Sequence, residues 1–271
     1  MIRRFNRYEL KYVIHAGRIP ALVDDLMHFM EPDAHGDGDG FYRVTSLYYD
    51  SPDLAAYRSK VEGLKFRRKL RVRIYPGDDI RSVTKAFAEI KQRYNRTVQK
   101  KRVTLPLEDA EALCAGDLDP YSLADPLDQA AASEMLYMVR AMQLRPRCIV
   151  SYRRRALVGG RFDPGMRLTF DALLSGRVYA LKVNEDARNH LFMPPDWLVM
   201  EVKVNERIPT WTTSVLARHQ CQLQRVSKYC AALEDGMHRR ELAWRTKDER
   251  IVHGAAAPEH GSFGNKEQRH G

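Results

Sequence analysis

The stretch Lys69-Leu-Arg-Val-Arg-Ile-Tyr75 alternates polar and apolar residues without a break. Strand side chains point to opposite faces with a period of two, so Lys69, Arg71 and Arg73 share one face and Leu70, Val72 and Ile74 the other. Three further segments repeat this grammar with an acid added: Glu9-Leu-Lys11, Glu89-Ile-Lys91 and Glu201-Val-Lys203. Each sets a carboxylate and an ammonium on one strand face, about 7 Å apart at the usual rise per residue. Any one of these could be the wet side of an ordinary sheet. Four of them, with apolar residues behind, point instead to a closed antiparallel sheet whose interior is polar and cationic.

Working outward from that stretch, strands are predicted at Arg7–Ile14, Phe41–Tyr49, Lys65–Tyr75, Val83–Tyr94, Thr97–Leu105, Arg147–Val158, Arg167–Phe170, around Val178–Leu181 and at Trp197–Val204. Helical spacing begins near Pro20, recurs weakly at Leu54–Arg58, and dominates about 106–143, which reads as an insertion packed outside the sheet. Pro209 opens another helix, and Val226–Glu234 makes a last one. The loop Gly36–Gly40 places Asp37 and Asp39 as in part of a calcium loop, but the remaining ligands of such a loop are missing. The expected fold class is α+β: an antiparallel β-barrel tunnel with a cationic lumen, flanked by helices. Residues 1–236 form the domain, and 237–271 a polar tail expected to be disordered.

The 271 residues carry a net charge of +10. From Met237 onward there are seven Lys or Arg against five Asp or Glu, leaving 38 against 30 for Met1–Gly236. The excess therefore belongs to the folded part and favours an anionic ligand. Four cysteines with no Cys-x-x-Cys spacing read as reduced thiols. No signal-like start and no apolar run of membrane-spanning length is present, so the expectation is a cytoplasmic protein without a membrane span.

A confined face bearing Lys11, Lys69, Arg71, Arg73, Lys91 and Lys203, with cations from Lys100–Arg102, Arg153–Arg155 and Arg167, repels itself unless a polyanion occupies it. Arginine forks suit phosphate oxygens and lysines add point charge, which makes a chain of phosphates the natural guest. Carboxylates in such a site are most useful as ligands of Mg²⁺ or Mn²⁺. There is no P-loop or dinucleotide fingerprint, and no periodic aromatic platform for a nucleic acid.

At these residues the chain resembles a VTC domain, the polyphosphate polymerase module of the vacuolar transporter chaperone complex, within the triphosphate tunnel metalloenzyme superfamily. The matching stretches are Arg7–Tyr12, Ser46–Ser51, Arg68–Tyr75, Glu89–Lys91, Ser151–Ala156, Arg167–Asp171, Met200–Lys203 and Ser227–Tyr229. The resemblance implies a tunnel that transfers the γ-phosphoryl group of ATP to growing polyphosphate with a divalent metal, Mn²⁺ or Mg²⁺. On matching positions it makes Lys11, Arg71, Arg73, Lys91, Arg154, Arg167, Lys203 and Lys228 the phosphate-holding, catalytic set. Lys69 and Arg102 join it as phosphate contacts. Glu201 is the principal metal ligand, with Glu9 and Glu89 secondary. Partners are ATP and polyphosphate or pyrophosphate, with no nucleic acid. The alternatives are a non-catalytic polyphosphate- or nucleotide-binding module and a triphosphate hydrolase of the same fold. Hydrolytic relatives carry Glu-x-Glu-x-Lys on the first strand, where this chain has Arg7-Tyr-Glu9-Leu-Lys11, and that argues against hydrolysis. The regulatory SPX domain and membrane helices of the fungal assembly have no counterpart in this sequence.

Overall fold

The computed structural model describes residues 8–34, 40–95, 97–161, 163–205 and 207–253, with side chains as far as Glu241. Arg7, Asp37 and Asp39 lie outside the described residues. Among the described residues, ten strands form one antiparallel sheet: β1 (Tyr8–His15), β2 (Met30–Pro32), β3 (Phe41–Asp50), β4 (Phe66–Ile74), β5 (Lys85–Tyr94), β6 (Thr97–Pro106), β7 (Arg145–Gly159), β8 (Arg167–Arg177), β9 (His190–Leu191) and β10 (Trp197–Val204). The helices are α1 (Ile19–Met27), α2 (Ala55–Val61), α3 (Leu107–Ala115), α4 (Pro126–Ala141), α5 (Thr210–Arg218) and α6 (Lys228–His253).

The main ladder runs β1-β10-β8-β7-β3-β4-β5-β6, with β2 on β7 and β9 on β8. Its end strands β1 and β6 are not hydrogen-bonded to each other, so the closed barrel expected from sequence is, by its backbone ladder, an open sheet. One reason lies on β1 itself. The segment leading into α6 takes part of its free edge: Gln224 N donates to Lys11 O at 2.8 Å, and Leu223 bridges Tyr12. The two ends are nonetheless tied by side chains, since Lys91 Nζ on β5 meets Glu9 Oε2 on β1 at 2.6 Å.

The two faces divide as the alternation requires. Behind β4–β6, Leu70, Val72, Ile74, Ala88, Ile90 and Val103 pack with Leu113, Met135, Met138 and Val139 from α3 and α4, which accounts for the Met-rich stripe. Behind β1, β8 and β10, Ile14, Phe170, Met200 and Val202 pack against Leu22, Leu26, Val215 and Leu216. The third cluster is on the opposite face. Val44, Cys148, Val150, Leu174 and Val199 sit under Tyr229, Cys230, Ala232 and Leu233 of α6. Val199 has the same parity as Glu201, and Val150 the same as Tyr152 and Arg154. The start of α6 therefore caps the apolar part of the face that carries the charges.

The chain leaves the predicted pattern after Phe170 and again in the last helix. β8 continues to Arg177, and the strand expected at Val178–Leu181 is a loop. Its organiser is Arg177, 2% exposed, whose guanidinium donates to the carbonyls of Ala180, Lys182 and Glu185 at 3.1 Å each and to Asn189 Oδ1 at 2.8 Å. These carbonyls turn inward toward one cation instead of lining up along a ladder. Replacing Arg177 with Met is expected to cost on the order of 3 kcal/mol, because several buried acceptors lose their donor. Chemical denaturation would measure the cost, and limited proteolysis would show whether cleavage within 178–190 rises with it. The last helix is the second departure. It runs to His253 rather than Glu234, so the residues from Met237 that were expected to be disordered begin as helix; 254–271 lie outside the described residues. As expected from the sequence, no helix among the described residues is long and apolar enough to cross a membrane, the 26-residue α6 included.

Candidate functional site

Three carboxylates organise the charged face. Glu201, on β10, stands at the centre. Its carboxylate meets Lys11 Nζ at 3.2 Å, Lys203 Nζ at 2.8 Å and Lys228 Nζ at 2.6 Å, with Arg154 Nη2 at 4.0 Å. Pairing of β1 with β10 puts Lys11 opposite Glu201 and Glu9 opposite Lys203, which is how two Glu-x-Lys strands interlock their charges. Lys228, the first residue of α6, arrives from outside the sheet and bridges Glu201 and Asp171, the latter at 2.5 Å.

Burial alone pushes a carboxyl pKa up. Around Glu201, the charges of Lys11, Lys203, Lys228 and Arg154 outweigh it and hold the group well below the usual carboxylate range. Two of the three lysines on Glu201 respond in opposite directions. Burial lowers Lys203 to about 8, because Glu201 is its main compensation and Arg154 stands nearby. Lys228 faces the same burial but gains both Asp171 and Glu201, and its pKa rises.

Glu89 on β5 is the second hub and is fully buried. Arg71 Nε reaches it at 2.7 Å, Arg102 Nε at 2.6 Å and Lys100 Nζ at 3.1 Å. Arg71 also donates to Tyr48 OH at 2.9 Å. Burial raises the Tyr48 phenol, but Arg71 and Arg73 bring it down to about 8. Arg73 donates to Ser46 Oγ at 3.1 Å and Tyr152 OH at 3.2 Å, and the Tyr152 ring lies 5.1 Å from both Arg154 Cζ and Lys228 Nζ. Tyr152 thus joins the Glu89 group to the Glu201 group.

The third hub, Asp171 on β8, grips Arg154 through two parallel bonds of 2.6 and 2.8 Å. Of the run Arg153–Arg155, Arg154 is the buried one. Arg153 is exposed beside the Phe41 ring, and both it and Arg155 have the opposite parity to Arg154. Lys69 lies beneath the start of α6, donating to Ser227 Oγ at 3.1 Å with its ammonium 4.7 Å from the Tyr229 ring centroid. Arg167 is the cross-strand neighbour of Lys203 but is paired with Asp33, and it donates to Tyr42 OH at 3.2 Å.

Sequence reasoning missed Asp171, Tyr48 and Tyr152 as members of this site. The first had a signal: Arg167-Leu-Thr-Phe-Asp171 alternates, so Asp171 shares the Arg167 face. Asp33 gave none, since it follows β2 in a short connection.

The donor set suits a hard divalent cation at one place. Glu9 and Glu201 both approach Lys11 Nζ, at 3.5 and 3.2 Å, and Glu9 Oε1 is a buried oxygen without a hydrogen-bond partner. Glu89 has its oxygens held by Arg71, Lys100 and Arg102, and Glu201 has its own held by lysines, so an ion at either would have to displace a cation. Among the described residues, no three His, Cys, Asp or Glu side chains gather closely enough to enclose an ion on their own, so phosphate or water oxygens would have to complete the shell.

The family model of the VTC domain matches residues 6–235. The chain belongs to the VTC domain family. Subunit 4 of the vacuolar transporter chaperone complex of Trypanosoma brucei brucei is 23% identical over 267 residues, covering 83% of this chain and 34% of that protein. The VTC chain described here thus spans about a third of that relative's length. Among solved structures, a putative adenylate cyclase from Bacillus halodurans aligns with a TM-score of 0.48 and 12% identity, over 82% of this chain and 95% of that one. A putative adenylyl cyclase from Hippeastrum, described as having a dominant triphosphatase activity, aligns with a TM-score of 0.45 and 13% identity, over 85% and 96%.

Proposed function

We propose that this VTC domain transfers the γ-phosphoryl group of ATP to the terminal phosphate of a growing polyphosphate, with the charged sheet face closing around the substrate as a tunnel. The observation that carries the reading is the charge imbalance of that face. Against Glu9, Glu89, Asp171 and Glu201 it sets Lys11, Lys69, Arg71, Arg73, Lys91, Lys100, Arg102, Arg154, Lys203 and Lys228, an excess of six positive charges. Like charges so confined favour a polyanion strongly, and membership of the VTC family supports a phosphate chain as that polyanion.

Phosphoryl transfer asks little covalent work of a protein. Positioning and neutralisation of charge on the transferred group supply most of the acceleration. Arg71 and Arg73 would hold the nucleotide phosphates with their forks, while Arg154 and Lys228, fixed by Asp171, would face the charge that develops on the transferred group. Glu201 with Glu9 would hold a divalent ion, Mg²⁺ or Mn²⁺, which supplies neutralisation at the phosphate oxygens. The acceptor phosphate is already ionised, so no strong general base is required. We assign Glu89 as the counter-ion that keeps Arg71 and Arg102 in place.

One observation favours a second reading, a polyphosphate-binding module without catalysis: Glu9, Glu89, Asp171 and Glu201 are each already paired with cations. Incubation with ATP, Mn²⁺ or Mg²⁺ and pyrophosphate, followed by gel electrophoresis, separates the possibilities. A ladder of products is expected. Free phosphate alone would mean hydrolysis, and unchanged ATP with retained polyphosphate binding would mean the module.

A further inference from the structure

We propose that the open end of the β4–β5 hairpin carries a second anion subsite, formed by Lys60, Arg67, Arg93 and Arg225, which takes the distal phosphates of a chain whose near end lies at Arg71 and Arg73. This rests on the phosphate-chain reading above and extends it to how chain length is sensed.

The register supplies the first argument. Arg67 has the parity of Lys69, Arg71 and Arg73, and β4 pairs with β5 so that Arg67 faces Arg93 and Lys69 faces Lys91. Like charges directly opposite on a sheet are destabilising, yet here two such pairs follow one another. Two more cations arrive from outside the sheet. Lys60 comes from the last turn of α2, and Arg225 from the segment pinned to β1 through Gln224 N and Lys11 O.

Partnering gives the second argument. Lys11, Arg71, Lys91, Lys100, Arg102, Arg154, Lys203 and Lys228 each meet a carboxylate. Among the described residues, no ion pair joins Lys60, Arg67, Arg93 or Arg225 to an acid; Arg93 donates only to Asn95 O, at 2.7 Å. Three of the four are partly buried. Burial, then Arg93 and Arg225, lower the Arg67 guanidinium, and burial, then Arg67, lowers Lys60. A cluster whose fold provides no counter-ion takes one from a ligand.

Geometry says which ligand. Arg67 lies four residues from Arg71, about 13 Å along the strand, so one anion cannot serve both but a chain of phosphates can. Phe66 and Tyr94, the aromatics at this end, pair with each other at the alternate positions and are absent from the cationic face. A stacking platform for nucleotide bases is therefore lacking there.

The test compares tripolyphosphate with long-chain polyphosphate by calorimetric titration at fixed ionic strength. Two variants are used: Arg67→Glu with Arg93→Glu, and Lys60→Ala with Arg225→Ala, whose changes lie off the sheet and spare its pairing. Both are expected to bind tripolyphosphate as the wild type does and to lose roughly tenfold or more in affinity for the long chain, which corresponds to about 1.4 kcal/mol. Unchanged long-chain affinity in both variants overturns the subsite alone. Equal losses for the two ligands also overturn it, since they would reflect the general field of the site. A wild-type domain that binds neither ligand overturns the phosphate-chain reading, and the subsite with it. Single-stranded RNA competing as tightly as polyphosphate overturns the choice of ligand.

Discussion

Glu201→Gln is expected to reduce polymerisation by on the order of a hundredfold or more, while binding of tripolyphosphate without metal is retained or tightened. The two effects have opposite signs because Glu201 has two jobs. Toward a divalent ion it is a ligand, and an amide oxygen is a poor substitute for a carboxylate. Toward phosphate it is a repelling charge set among Lys11, Lys203, Lys228 and Arg154, and its neutralisation frees those cations for the ligand. The amide fills the same space and keeps hydrogen-bonding capacity, but four buried or half-buried cations lose their shared counter-ion, so thermal stability of the ligand-free domain should fall and recover on adding polyphosphate. Gel assays at saturating Mn²⁺, paired with metal-free titrations, separate the two jobs. Wild-type turnover by the variant would remove Glu201 from the metal assignment, and weaker metal-free binding would show that its charge supports the phosphate site.

How much of this could be read beforehand differs between levels. The strand faces were legible at Lys69–Tyr75 and Trp197–Val204, because a period of two admits one assignment of sides. The outer helices were legible for the same reason at period 3.6, as Leu113, Met135, Met138 and Val139 show by packing behind β4–β6. Pairing between strands was not. Whether β1 meets β6 depends on a competitor for the β1 edge, and nothing in Leu223-Gln-Arg225 announces that this segment takes it. The loop around Arg177 was equally hidden, since Val178–Leu181 has β-forming residues and only the buried guanidinium explains why they turn away. In the site, parity alone located most cations. It could not say which carboxylate would hold which cation, such as the enclosure of Glu89 by Arg71, Lys100 and Arg102.

Asp171→Asn is expected to destabilise the domain by about 3 kcal/mol or more, the usual consequence of removing one member of a buried ion pair, and to lower kcat for synthesis. The carboxylate is fully buried and is shared by Arg154 and Lys228. An amide can accept from one of them but offers no charge to either, so the guanidinium loses the two-pronged grip that fixes its plane. Acid should produce the same loss in the wild type. Burial tends to raise the Asp171 pKa, but Arg154 and Lys228 prevail and hold it below its ordinary 3.8, and Glu89 and Glu201 are likewise held low. For groups shifted downward on folding, the unfolded chain binds protons first as pH falls, so the stability they contribute is complete above about pH 4.5 and is lost as pH drops through their folded values. Urea denaturation at stepped pH should therefore show a steep decline below about pH 4.5 for the wild type. For Asp171→Asn the curve should start lower at neutral pH and decline less steeply, because one of the coupled carboxylates no longer takes up a proton. Equal slopes for the two proteins would mean that Asp171 is not held low by Arg154 and Lys228. Unchanged kcat in a destabilised variant would confine the residue to folding and remove it from the positioning of those two cations.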